Sequence, residues 1–132
     1  DYIAIQAYLP YSDAVAQRLR QLRMAIREKY GVPVTVGYGP RFLHSTGQLH
    51  KGGENNVVAL QLTYDPAEDV LIAGEPFSFG TLIRAQALGD FEALRAHQRR
   101  VMRLHLGSEL LANLDKLIEV IAGRGRRRAE EE

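Results

Sequence analysis

Residues 2–9, YIAIQAYL, are almost continuously hydrophobic and rich in β-branched and aromatic side chains, which predicts a strand covered on both faces in a parallel sheet. Ser12, after Pro10, is placed to cap a helix. Beyond it Val15, Leu19, Leu22, Ile26 and Tyr30 recur every three or four residues, with Arg18, Arg20, Arg23 and Arg27 on the remaining surface. This spacing predicts an amphipathic helix ending at Gly31. VPVTVGYG, residues 32–39, predicts a second strand that turns sharply at its glycines and Pro40, and VVALQLTY, residues 57–64, a third. VLI, residues 70–72, predicts a short edge piece after the turn-forming Asp65-Pro66. Phe79, Leu82, Ile83 and Leu88 predict a helix over 78–88, stopped by Gly89, with Asp90 capping a second short helix through His97. In VMRLHL, residues 101–106, Met102, Leu104 and Leu106 alternate with Arg103 and His105, the pattern of a half-buried strand. Leu110, Leu111, Leu114, Leu117, Ile118 and Ile121 then form the stripe of a last helix after Ser108, ended by Gly123. Strands alternating with helices predict an α/β fold with a mostly parallel sheet flanked by helices.

A chain of 132 residues has room for one domain and one core. We expect an α/β unit over 1–107, a helix over 108–123 packed on it, and a charged, disordered tail over 124–132. A net charge of +1 gives no bulk attraction to nucleic acid or an anionic membrane, so neither is an expected partner. The tail carries four arginines followed by three glutamates, the composition of a solvated end. The absence of cysteine excludes disulfides, thiolate metal sites and cysteine nucleophiles, and agrees with the cytoplasmic location we expect. No signal-peptide pattern or membrane-spanning apolar run occurs. The chain opens inside a strand without a methionine, which predicts a piece of a longer polypeptide whose remainder completes any active site.

RFLHSTGQLHKGG, residues 41–53, gathers most of the candidate chemistry. Ser45 and Gln48 stand in the relation of a capping box, so a short helix is expected over 46–51, ended by Gly52-Gly53. Its start would offer unpaired N–H groups, to which the Ser45 and Thr46 hydroxyls add donors for an anionic or polyhydroxylated ligand. His44, Gln48 and Lys51 fall on one side of this element and His50 on another. An imidazole, an amide and an ammonium together can move a proton, orient hydroxyls and hold negative charge. The same composition also suits a plain polar turn. No third ligand stands at metal spacing from His44 and His50, and Gly37-x-Gly39 lacks the rest of a dinucleotide fingerprint, so neither metal nor organic cofactor is expected.

The block VGYGPRFLHSTGQLHKGG resembles the C-terminal part of glucose-6-phosphate isomerases, and more closely the isomerase half of bacterial transaldolase/glucose-6-phosphate isomerase fusions. GEPFSFGTLIRAQALGDFEAL and RVMRLHL are similar to the final segment of those fusions, and the three blocks keep their order over most of residues 1–106. The resemblance implies a sugar-isomerase (SIS-like) three-layer fold. It also implies interconversion of glucose 6-phosphate and fructose 6-phosphate through an enediol, with active sites shared across a homodimer. In the family a histidine four residues before a Gln-Leu pair assists ring opening. Here it falls on His44, followed by Gln48, Leu49, His50 and Gly52.

Two departures stand beside the resemblance. The family's general-base glutamate lies in a Met-Glu-Ser motif upstream of the histidine, and residues 1–40 hold no such motif and only Glu28, on the outer side of the first helix. The family's terminal lysine motif is replaced by LGSELLANLDKL, so its role does not pass to Lys116. Lys51 is the substitute donor we expect from the residues themselves. The expected role is an isomerase completed by the remainder of its polypeptide. The alternatives are a non-catalytic sugar-phosphate binding or regulatory module and, in a third class, a structural domain associating through its last helix.

Overall fold

The computed structural model describes residues 1–39, 56–66 and 71–123. Four strands, β1 (Tyr2–Ala7), β2 (Val34–Tyr38), β3 (Val57–Thr63) and β4 (Arg100–His105), form one sheet in the order β2-β1-β3-β4, and every pairing is parallel. Three helices accompany them: α1 (Asp13–Tyr30), α2 (Phe79–Ala96) and α3 (Leu110–Ala122).

The sheet is buried on both sides because successive side chains of its central strands point to opposite layers. Ile5 and Ala7 of β1 join Leu60 and Leu62 of β3 and Val34 of β2 in a core closed by Leu19, Leu22 and Ile26 of α1 and by Leu114 and Ile118 of α3. On the other face Tyr8, Ala87 and the partly buried Ile83 pack together, which places α2 opposite α1 and α3. The result is a three-layer α/β sandwich.

The start of α1 is set by Ser12, whose hydroxyl accepts from the Val15 backbone N–H at 3.1 Å, and its end by Gly31 at φ 65°. That left-handed conformation costs a glycine little and another residue more. The helix takes the predicted face except at its last turn, where Tyr30 is exposed. Around 70–72 the described part is a single antiparallel bridge from Leu71 to Ser78.

The expected break at Gly89 does not occur: α2 runs unbroken from 79 to 96, and Asp90 is buried inside it. Burial of Ala87 and Leu94 on one face outweighs the roughly 1 kcal/mol that an interior glycine costs. Gly89 itself is exposed, and a Cβ added there would meet nothing within 4 Å. Gly89→Ala should therefore stabilise the chain by about 0.5–1 kcal/mol and raise the thermal midpoint by about 3 °C. A lower midpoint would contradict the continuous helix.

Two boundaries also differ. The last helix begins after Glu109 rather than Ser108, with no side-chain cap bond. In β4, Met102 is exposed because the strand lies at the edge of the described sheet, whereas Leu106 just beyond it is buried as expected. No helix among the described residues is long and apolar enough to cross a membrane.

Candidate functional site at the carboxyl edge of the sheet

β1 lies between β2 and β3, so the connections leaving β1 and β3 diverge, α1 over one face and α2 over the other. In an open parallel sheet this divergence opens a crevice beyond the carboxyl ends of the strands, where ligands characteristically bind. Tyr8, Thr63 and His105 sit there, at the ends of β1, β3 and β4.

Their backbone is firmly tied. The Tyr8 N–H donates to the Leu62 carbonyl at 2.9 Å, the Leu106 N–H to Thr63 at 2.7 Å, and the Asp65 N–H to Gly107 at 2.9 Å. The Asn113 amide of α3 donates to the Leu106 carbonyl at 2.6 Å, fixing the turn after β4. On this frame Thr63 Oγ1 lies 2.8 Å from His105 Nδ1, and His105 Nε2 lies 3.1 Å from Asp65 Oδ1. Thr63 is buried, at 3% exposure, while the His105 and Asp65 side chains are 44% and 53% exposed. The row therefore runs from the sheet interior out to solvent.

Below it the α2 side of the sheet is polar for a core. Gln6 and Gln61 are register partners on β1 and β3 and both are buried, and the Gln61 amide donates to the Ala87 carbonyl of α2 at 2.8 Å. Asp90 is buried on the same helix. Burial, reinforced by the Asp90 carboxylate, pushes the Tyr8 phenol well above its ordinary value, so it is a neutral phenol at physiological pH.

The start of α2 reaches the same edge, where Ser78 Oγ accepts from the Thr81 N–H at 3.2 Å and lies 3.1 Å from the Thr81 hydroxyl. Toward β2, Tyr11 and Tyr38 meet edge to face with centroids 5.3 Å apart. Burial and Tyr11 raise the Tyr38 phenol, against an opposing pull from Arg20. An apolar cleft of about 540 Å³ lies elsewhere, at the amino end of the sheet, lined by Ile3, Ile26, Leu60, Met102, Leu104 and Ile121. With so few polar groups it offers little chemistry, and the carboxyl edge is the better candidate site.

The residues expected to act from the sequence, His44, Ser45, Thr46, Gln48 and Lys51, lie outside the described residues, as does the tail over 124–132. Among the described residues no group of three or more His, Asp or Glu could hold a metal ion. The Thr63–His105–Asp65 row follows from no local sequence pattern. Thr63 and Asp65 are two residues apart, and only the β3–β4 register, which pairs Thr63 with His105, brings the histidine to them. The available signal was a threonine and a histidine closing two parallel strands.

Among the described residues the fold is a three-layer α/β arrangement, a four-stranded parallel sheet flanked by three helices. A similar fold is seen in the crystal structure of a hypothetical protein from Thermus thermophilus, with a TM-score of 0.74 and 18% sequence identity over 92% of this chain. The chain spans 35% of that structure's length, and at this identity the likeness shows the fold alone. No family model matches the chain, and no curated protein matches it.

Proposed function

We propose that the chain is part of a sugar-phosphate isomerase that interconverts glucose 6-phosphate and fructose 6-phosphate. The observation that carries this reading is the block VGYGPRFLHSTGQLHKGG, followed in order by GEPFSFGTLIRAQALGDFEAL and RVMRLHL. A parallel α/β sheet with a crevice at its carboxyl edge is compatible with it, and the finer SIS assignment belongs to the same proposal.

In this reading His44 passes a proton between the ring oxygen and the anomeric hydroxyl as the ring opens. Gln48 orients the open chain, with the Ser45 and Thr46 hydroxyls as further donors, and Lys51 stabilises the enediolate or the phosphate. The carbon-bound proton is moved by a base from the remainder of the polypeptide, which in turn belongs to a cytoplasmic homodimer, fused or not to a transaldolase. His44→Ala in the full-length parent should lower isomerase kcat/KM by about 100-fold, the usual contribution of a positioned acid–base group. A loss of threefold or less in the steady-state assay would remove His44 from the chemistry.

The lack of a Met-Glu-Ser motif in residues 1–40 favours a second reading, a sugar-phosphate binding module without turnover. Calorimetry with fructose 6-phosphate separates the two: binding by a full-length parent that has no isomerase activity selects the module.

A further inference from the structure

We propose that His105 and Asp65 form a hydroxyl-recognition subsite for a polyhydroxylated ligand at the carboxyl edge of the sheet, with Thr63 as the residue that positions the imidazole. Identifying that ligand as a sugar phosphate rests on the function proposed above. The subsite itself rests on geometry.

An ionised carboxylate can only accept hydrogen bonds, so Asp65, 3.1 Å from Nε2, favours the imidazole tautomer that carries its proton there. Nδ1 then holds a lone pair, which accepts from the Thr63 hydroxyl at 2.8 Å. Because Thr63 is buried and the outer parts of His105 and Asp65 are half exposed, the row has an anchored end and an open end. The open end presents one N–H donor beside one carboxylate acceptor. A hydroxyl entering between Nε2 and Asp65 replaces their direct contact: its oxygen accepts from Nε2–H while its proton is donated to the carboxylate.

The position supports the same use. His105 and Thr63 close adjacent parallel strands, and Tyr8 directly follows β1, one strand further along. A ligand bridging His105 and Asp65 would thus lie at the mouth of the crevice where the connections diverge. A sugar carries several hydroxyls, so one such subsite fixes its orientation without taking part in bond breaking.

The test uses the ¹⁵N-labelled chain and long-range ¹H–¹⁵N correlations of the imidazole nitrogens, with His105→Gln to assign the ring among the four histidines of the chain. In the free chain the neutral His105 ring should be the Nε2–H tautomer, and Thr63→Val should remove the hydrogen-bond shift at Nδ1. A predominant Nδ1–H tautomer overturns the proposal. Glucitol, an uncharged polyol, and fructose 6-phosphate should each move the Nε2 signal, and Asp65→Asn should weaken both by about tenfold, the effect of losing a hydrogen bond to a charged group. Failure of both probes to move His105, or unchanged affinities in Asp65→Asn, also overturns it.

The arms separate this subsite from the isomerase reading. Fructose 6-phosphate that shifts other histidines but not His105 removes the subsite and leaves that reading standing. Both probes binding alike through His105, with His44→Ala indifferent to either, supports the subsite and counts against the isomerase.

Discussion

Leu114→Ala is expected to lower the stability of the chain by about 3–4 kcal/mol, measured as a drop in the urea midpoint with an unchanged slope. Leu114 is fully buried, with 0% exposure, and lies with Ile118 in the same core as Leu19, Leu22 and Ile26 of α1. Replacing it removes transfer energy and leaves a cavity that two helices and a sheet cannot readily close. Val120 on the same helix is 69% exposed, so Val120→Ala should change stability by less than about 0.5 kcal/mol. Equal effects at the two positions would mean that α3 does not hold the described core together. Since α3 completes that core, removal of residues 108–132 should unfold the protein rather than only change its association.

The second large effect lies at alkaline pH. The Tyr8 phenol is raised above the ordinary value of 10.0, so the folded chain holds this proton more tightly than the unfolded chain does. Its contribution is fully present below about pH 10. Above that the unfolded phenol ionises first, and stability should fall by about 1 kcal/mol per pH unit as the pH rises toward 12. Tyr8→Phe removes the term, so between pH 9 and 12 the wild type should lose stability relative to the variant. Curves that stay parallel would show that Tyr8 ionises as freely in the fold as in solution.

Much of the architecture was legible because it rests on periodicity. The near-continuous apolar run of β1, the stripe from Val15 to Ile26 and the αL glycines at 31 and 123 each had one physical reading, and the structure follows them. The reading failed where tertiary packing opposed local propensity. Gly89 looked like a stop, yet Ala87 and Leu94 gain more from one continuous face than the glycine loses. Met102 looked inward-facing, but alternation cannot tell an edge strand from a central one.

The candidate site was less legible still. His105 read as the solvent side of a strand and Asp65 as a turn residue, and neither property predicts that they meet. Their contact depends on parallel register between segments some forty residues apart, which no local pattern encodes. The loop around His44 is singled out by residue chemistry and by resemblance, and it lies outside the described residues.

The central place of β1 also governs when the sheet can be completed during synthesis. Its first neighbour, β2, follows α1 directly, but its other neighbour, β3, emerges only about 55 residues after β1 ends. At ~5–20 residues per second a nascent chain would wait roughly 3–11 s with one hydrogen-bonding edge of β1 unpaired. The interval between β1 and β3 is therefore when this open edge is exposed to misassociation, and when a chaperone would have most to cover.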